Sequence, residues 1–334
     1  MKKVLFATTA LVATAGMAAA DVTFGGYGRF GILYDETGQA TAGPDGILED
    51  DPTTTVDESA DNGTTSSTDI TSRFRLQIDA TAESDAGVTF GARVRIQQNN
   101  TDTGAHNGGM GPTAGPAGTG INGVRFFARS GGLEVGVGNI FGAIEFMPGQ
   151  YPIDIGLTGL GYDYTAYNFR GDAYSSGANG AAGSNGIEVL YSAGDFSAHL
   201  SASDTNDRIA AHVAYTFSGF TVALGAQDSD AATDTDWTAS IGGSIGPADV
   251  TLAYADNGTG GDQIVLAARF DVGAATNIEV YVADRSDATD GSANDTGYGI
   301  DFNHDLGGGT SLRGGIVQRI AGNVQADLGV RFNF

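Results

Sequence analysis

The sequence predicts an all-β fold, a sixteen-stranded antiparallel transmembrane β-barrel. Three observations support this fold class. Segments in which apolar and polar residues alternate recur along the chain, and no sustained helical period follows residue 20. The connections between these segments alternate between short and long. No apolar run of membrane-helix length follows residue 20, so strands are the elements left to cross a bilayer.

The N-terminal segment has the layout of a secretory signal peptide. Two lysines precede an apolar stretch, and small residues precede Asp21. The apolar stretch is too short for a membrane-spanning helix. We therefore expect residues 1–20 to be removed, which leaves residues 21–334 as a single barrel domain outside the cytoplasm.

Charge and cysteine content exclude several classes of protein. The chain has 16 basic and 40 acidic residues, and both of its lysines lie in the predicted signal peptide. Residues 21–334 therefore hold 14 arginines, no lysine and a formal net charge of −26. Such a surface repels nucleic acid and attracts cations. Because the chain has no cysteine, a disulfide framework and Cys-based metal or redox sites are excluded.

The alternating segments define the predicted strands. Each is bounded by clusters of Gly, Asp, Asn or Ser that are typical of turns. In order, the predicted strands are residues 22–34, 70–80, 88–98, 122–130, 133–140, 187–193, 196–204, 208–217, 220–228, 236–245, 249–256, 262–271, 275–285, 296–304, 310–318 and 324–334.

The lengths of the connections separate two rims of the predicted barrel. Short connections such as "GG", "GD" and "SG" alternate with longer ones, and two are very long, at residues 35–69 and 141–186. Long unstructured loops argue against a compact soluble domain. Short turns on one rim and long loops on the other are typical of outer-membrane barrels.

Each strand has one apolar and one polar face. In "RFRLQIDA" (residues 73–80) the even positions are apolar and the odd ones polar, and "NVQADLGVRFNF" (residues 323–334) alternates in the same way. A soluble β-sandwich would also alternate. However, aromatic residues recur near strand ends on the apolar face, as an interfacial girdle requires. These aromatics are Tyr34, Phe90, Phe217, Phe220, Phe270 and Phe334. We therefore expect the apolar face to meet lipid and the polar face to line a lumen.

Several stretches resemble a known family. "TSRFRLQIDATAESDAGVTFGARVRI", "YSAGDFSAHLSASD", "DLGGGTSLRGGIV" and "VQADLGVRFNF" resemble the general-diffusion porins of the Gram-negative outer membrane, of the alphaproteobacterial type. The resemblance covers residues 21–334 from end to end. It implies a homotrimer of sixteen-stranded barrels in outer-membrane lipid and lipopolysaccharide, with the third long loop folded into each pore.

The C-terminal strand carries a second resemblance. It ends on an aromatic residue with apolar residues at alternate positions before it, which is similar to the sorting signal read by the outer-membrane barrel-assembly machinery. The residues concerned are Leu328, Val330, Phe332 and Phe334. The resemblance implies that this machinery is a partner during biogenesis.

Arginines are concentrated on the first four predicted strands. Strand parity places them opposite the apolar residues, hence toward the lumen, where neighbouring strands about 5 Å apart would merge them into one basic wall. The seven arginines are Arg29, Arg73, Arg75, Arg93, Arg95, Arg125 and Arg129. The alternative interpretation is a set of solvated surface arginines paired locally with acids.

Acidic partners for this wall are expected on the connection 141–186, which corresponds to the constriction loop of the resembled family. The candidates are Glu145, Asp154, Asp163 and Asp172. Pro148-Gly149 is a turn signal that could bend the loop inward. The family loop often carries Pro-Glu-Phe-Gly-Gly, whereas this chain reads "EFMPG".

Guanidinium groups facing carboxylates across a lumen act as a filter and catalyse nothing. The sequence thus predicts passive, size-limited diffusion of ions and small hydrophilic solutes, with a mild preference for cations. The four histidines are scattered and no Ser–His–Asp cluster is legible, so no enzymatic activity is expected. "GGYGRFG" matches a dinucleotide spacing but no helix follows it.

Two alternatives remain at this stage. One is a substrate-specific channel with a saturable site, and the other is a secreted acidic calcium-binding or adhesive β protein. No cofactor is required, but the acidic connection 35–69 could hold a structural Ca²⁺, since hard cations take oxygen ligands. Its candidate ligands are Asp45, Glu49, Asp50 and Asp51.

Overall fold

The structure of this protein is a computed structural model. It describes residues 21–40, 65–99, 121–176 and 183–334. The predicted signal peptide, residues 1–20, lies outside the described residues. The same is true of the four candidate calcium ligands between residues 45 and 51.

The described chain forms sixteen β-strands, which confirms the predicted number. They are β1 (Asp21–Ala40), β2 (Thr65–Glu83), β3 (Thr89–Asn99), β4 (Arg125–Ser130), β5 (Leu133–Asn139), β6 (Asn185–Ala193), β7 (Phe196–Ser203), β8 (Ile209–Phe217), β9 (Phe220–Asp228), β10 (Asp236–Ile245), β11 (Ala248–Asp256), β12 (Asp262–Gly273), β13 (Thr276–Ser286), β14 (Thr296–Gly307), β15 (Thr310–Gln318) and β16 (Val324–Asn333). No helix within these described ranges is long and apolar enough to cross a membrane.

Five of the predicted strand boundaries, in β1, β2, β4 and β14, were wrong by three to six residues. β1 and β2 are longer than predicted because their pairing continues through polar residues, with a register shift after Tyr34 and a final pair at Ala40 and Thr65. Apolar periodicity carries no information on such polar pairing. β4 starts later than predicted, because the residues before Arg125 join β3 only through an isolated bridge at Ile121.

The sheet closes on itself. Each strand pairs antiparallel with the next, and β16 pairs with β1, so the sheet has no free edge. The last residue takes part in this closure, because Phe334 exchanges two backbone hydrogen bonds with Gly26. Its ring also stacks on Phe74 of β2, at 5.7 Å between ring centroids. Closure pairs the backbone groups that would otherwise form an exposed sheet edge.

Side-chain exposure confirms the two faces predicted from alternation. In β9 the outward Leu224 is 53% exposed, whereas its neighbour Ala223, which points inward, is 1% exposed. β8 shows the same contrast between the exposed Val213 and the buried His212. Large apolar residues thus cover the outside of the barrel, and small or polar residues line the inside.

The apolar core lies inside the barrel, between its wall and the β5–β6 connection. Buried residues of that connection, such as Ile155 and Tyr164, belong to one cluster with inward alanines of the wall, such as Ala253 and Ala267. Alanine has no side chain beyond Cβ, so this part of the wall leaves room for a loop. A barrel interior filled in this way positions the loop as firmly as a strand.

We expect the outward face to respond to charge according to depth. Leu266→Arg, near the middle of β12, should destabilise the protein in phospholipid vesicles by about 2–4 kcal/mol, because arginine at the bilayer midplane is poorly solvated. Val272→Arg lies on the same face near the end of the same strand and should cost about 0–1 kcal/mol. Urea unfolding measures both. Equal costs at the two positions would contradict a lipid-facing outer surface.

Candidate functional site: the loop within the barrel

Where the structure describes it, the β5–β6 connection runs inside the barrel; we call it the inner loop. Its described residues are 140–176 and 183–184. Ile140, Ala143 and Ile155 are fully buried against the wall. The inner loop is not paired with a neighbouring strand, so its backbone N–H and C=O groups need other hydrogen-bond partners. These partners show how the loop is held.

The first part of the inner loop is attached to β8 and β10. The ring Nδ1 of His212 donates a hydrogen bond to the carbonyl oxygen of Ala143 at 2.5 Å. The hydroxyl of Ser240 donates to the carbonyl of Pro148 at 2.6 Å. The predicted bend at Pro148 therefore sits directly against the barrel wall.

Carboxylates of the wall bind the middle of the inner loop. Asp301 accepts a hydrogen bond from the backbone N–H of Gly156 at 2.6 Å. Asp327 accepts from the N–H groups of Leu157 at 2.9 Å and Thr158 at 2.8 Å. A Cβ on Gly156 would collide with the Asp327 carboxylate, and the φ of Gly156 is +68°, so this close approach requires glycine. Sequence reasoning missed this set of carboxylates.

Two of the predicted pore acids hold the returning part of the loop. Asp163 forms an ion pair with Arg319 at 2.7 Å, and Asp172 forms one with Arg208 at 2.8 Å. The two aspartates are 6% and 3% exposed. Their placement corrects the prediction that they line the pore, because a carboxylate buried in an ion pair faces the wall and contributes little field to the lumen.

Glu145 is the predicted acid whose described partners are neutral, and it is partly exposed. Its carboxylate accepts hydrogen bonds from the hydroxyls of Tyr151, at 2.8 Å, and of Tyr167. Burial, together with the nearby Glu145 carboxylate, raises the pKa of both tyrosine hydroxyls well above the ordinary value. Both hydroxyls therefore stay protonated and keep donating to Glu145.

Asp154 is the most open of the predicted acids. Its side chain is 55% exposed and forms ion pairs with Arg313 at 2.6 Å and Arg331 at 3.5 Å. Neither arginine was predicted to line the pore, because the predicted basic wall is confined to the first four strands. Closure of the barrel places Arg331 directly opposite Arg29 of β1. Strand parity in the C-terminal "GVRFNF" was the available signal.

The predicted basic wall gathers around Tyr27 of β1. The guanidinium of Arg75 lies 5.2 Å from the centre of the Tyr27 ring, and that of Arg331 lies 4.3 Å from it. Arg73 donates to the Tyr27 hydroxyl at 3.3 Å. Arg29 reaches the inner loop instead and donates to the carbonyl of Leu157 at 2.6 Å.

Several guanidinium groups of this wall have neutral amides as partners. Arg75 donates to Gln97 at 2.6 Å, and Arg95 donates to Gln77 at 2.8 Å. An amide fixes the orientation of a guanidinium group and leaves its charge in place. Arg93 differs, because it forms an ion pair with Asp79 at 2.6 Å.

Two predicted wall arginines have other surroundings. Arg125 is buried and forms ion pairs with Glu134 and Glu188, both at 2.6 Å. Its charge is therefore compensated, which corrects its assignment to the pore surface. Arg129 is exposed toward the short-turn rim, where its guanidinium lies 5.4 Å from the centre of the Phe127 ring.

The open part of the lumen lies between the free side of the inner loop and the basic wall. The loop is attached to inward side chains of strands from β7 to β16, and its exposed residues include Phe146, Tyr151 and Tyr162. At its end, Ser176 accepts a hydrogen bond from Arg95 at 2.8 Å.

A protein family and a porin relative both match this chain. The profile of the family described as Gram-negative porin matches residues 7–320. The chain belongs to this family. A porin of Fuscovulum blasticum is 30% identical over 342 residues, covering 94% of this chain and 100% of the relative.

Solved structures of porins are also similar to this chain. A triple mutant of the Rhodopseudomonas blastica porin is 27% identical and gives a TM-score of 0.73. A second mutant of the same porin is 28% identical, also with a TM-score of 0.73. Both alignments cover 94% of this chain and 100% of the matched chain.

Family membership confirms the resemblance stated from the sequence. This porin is an outer-membrane diffusion channel of the Gram-negative type and is not an enzyme. The alternative of a secreted adhesive or calcium-binding protein is therefore excluded. The matched barrels and the closed sixteen-stranded sheet give the same fold class.

We expect Asp327→Ala to loosen the inner loop of this porin. The change removes the acceptor of three hydrogen bonds from Leu157 and Thr158, and charged acceptors contribute roughly 1.5–3 kcal/mol each. The unfolding free energy should fall by at least about 2 kcal/mol, the contribution of one such bond, and the open-channel current should become noisier. Urea titration and single-channel recording measure the two effects.

The matched control for this experiment is Asp195→Ala, which alters an exposed carboxylate in the β6–β7 turn. It should change neither quantity. Unaltered current noise in the Asp327 variant would show that the carboxylate does not restrain the loop.

Proposed function

We propose that ions and small hydrophilic solutes diffuse through this porin between two oppositely charged surfaces, limited by size and with a mild preference for cations. The observation that carries the proposal is the unequal pairing of charges in the lumen. Arg75 and Arg95 are paired with amides, whereas the Glu145 carboxylate of the inner loop is bonded to neutral tyrosine hydroxyls. Net charge of opposite sign is therefore left on the two sides.

A field between these surfaces separates solutes by polarity. Opposite unit charges about 10 Å apart attract by roughly 0.4 kcal/mol in water and by up to about 2 kcal/mol at an effective dielectric constant of 20. A dipolar solute can align with such a field, whereas an apolar solute gains nothing and displaces oriented water. The same arrangement offers no group positioned for a chemical reaction.

The preference for cations comes from the charge of the whole porin. Residues 21–334 carry a formal net charge of −26, and many of the acids lie in loops. A negative potential at the mouth raises the local concentration of cations, and salt screens it over a Debye length of about 10 Å at 0.1 M.

The proposal includes the assembly that the family implies. We infer a homotrimer that meets lipid and lipopolysaccharide with its outward face, after removal of residues 1–20. The alternating apolar residues of β16, which end at Phe332 and Phe334 and lie exposed on the outer face, support recognition by the barrel-assembly machinery. Native mass spectrometry of the protein extracted in detergent tests the trimer, and a monomer as the sole species would contradict it.

Replacing single charges in the lumen should shift ion selectivity in opposite directions. Arg75→Gln should raise the cation-to-anion permeability ratio about twofold, and Glu145→Gln should lower it by a similar factor, as expected for about 0.4 kcal/mol per charge. Reversal potentials in a KCl gradient across a planar bilayer measure the ratio. The control is Asp195→Asn, which removes an exposed charge in the β6–β7 turn and should leave the ratio unchanged. Shifts in the same direction for both lumen variants would refute the two-surface arrangement.

Flux of neutral solutes separates simple diffusion from a substrate-specific channel. Swelling rates of liposomes containing this porin should rise linearly with sugar concentration and fall steeply with sugar size. The rates depend on size because the solute must pass a fixed opening beside the inner loop. Saturation at low concentration of one sugar would favour the substrate-specific alternative.

A further inference from the structure

A second polar cavity lies apart from the passage, at the rim that carries the long loops. It has a volume of about 730 Å³. Its walls come from the returning part of the inner loop and from the connections β9–β10, β11–β12 and β13–β14. The backbone of Thr289 and Asp290 donates to the carbonyl of Thr259, which joins two of these connections. We call this cavity the rim pocket.

A buried carboxylate without a hydrogen-bond donor faces the rim pocket. Asp236, the first residue of β10, is 5% exposed. Among the described residues no N–H or O–H group donates to its carboxylate, and no cation lies within ion-pair distance. Burying an uncompensated charge is costly, so a group of this kind indicates a missing positive partner.

A second polar group of the rim pocket is also incompletely bonded. Gln227 lies directly opposite Asp236 in the register of β9 and β10, and it is 2% exposed. Its Nε2 donates to the carbonyl of Arg170 at 2.8 Å, whereas its Oε1 has no donor in the described part of the chain. The Gln227 oxygen is shielded from solvent, so of these two acceptors the Asp236 carboxylate is the one that a molecule in the pocket can reach.

The remaining charges of the rim pocket are mostly negative. Asp234, Asp287 and Asp290 line it on exposed connections, against a single basic residue, Arg170. Arg170 forms no ion pair with any described carboxylate. The pocket therefore carries a formal excess of three negative charges and attracts a cation that can donate hydrogen bonds.

The spacing of the carboxylates distinguishes between kinds of cation. No group of three or more acidic or histidine side chains in the described ranges is close enough to hold one metal ion. A Ca²⁺ ion needs six to eight oxygen ligands around one point. Carboxylates dispersed around a cavity of about 730 Å³ suit instead an extended molecule with several charged donors.

We propose that the rim pocket binds an elongated organic cation with two or more ammonium groups, one of which is bound by Asp236. Each ammonium group has three donors and no acceptor, which matches a pocket rich in acceptors. The inference assigns a discrete site to the cation preference proposed above. It concerns residues on the rim and none of those that line the passage.

Calorimetric titration of the detergent-solubilised full-length porin tests the site, with spermidine and putrescine as probes and n-butylamine as the singly charged control. Spermidine should bind in a saturable manner, more tightly than putrescine, and n-butylamine should bind far more weakly. Asp236→Asn should weaken spermidine binding about tenfold, as expected for the loss of one charged hydrogen bond. The control Asp271→Asn, on the opposite rim, should leave binding unchanged.

A second variant controls for misfolding, which a substitution at the buried Asp236 could cause. Asp234→Asn combined with Asp290→Asn alters only exposed connections and should weaken spermidine binding several-fold. Equal affinity of the wild type and both variants would overturn the proposal, and so would equal binding of n-butylamine and spermidine. Reversal potentials of the Arg75 and Glu145 variants report on the passage independently, so failure of one proposal is distinguishable from failure of the other.

Discussion

The structure depends on one constraint: backbone N–H and C=O groups in a hydrocarbon environment must be paired with each other. The chain meets it by closing β16 onto β1, down to the hydrogen bonds between Phe334 and Gly26. Closure separates an apolar outside from a polar inside, because side chains alternate along every strand. The lumen can therefore hold arginines, aspartates and an entire loop that could not face lipid.

The inner loop extends the same constraint into the lumen. Its backbone has no strand to pair with, so the wall supplies acceptors such as Asp301 and Asp327 and donors such as Ser240. Inward alanines give the space in which its apolar residues pack. Strands β7 to β16 supply many of these contacts, and Arg29 of β1 and Arg95 of β3 add further hydrogen bonds to the loop.

Arginine has two roles in this porin, and its partners decide which one applies. Arg208 and Arg319 pair with loop carboxylates and fasten the loop. Arg75 and Arg95 pair with glutamines and keep their charge. Arginines paired with carboxylates link the loop to the wall, whereas arginines paired with amides keep the charge on which the proposed field depends. The rim pocket shows the complementary case, in which no cation of the described residues forms an ion pair with the buried Asp236.

The sequence by itself determined the number of strands, the two faces of each and the inward direction of Arg73, Arg75 and Arg95, because alternation is a local property with a period of two. The tertiary structure decided which charges compensate one another. Asp163 meets Arg319 across 156 residues, and Asp154 meets Arg313 across 159. Such pairs form only after the barrel closes and the loop enters it. Local patterns therefore could not separate the aspartates that fasten the loop from Asp154, which stays open to the lumen.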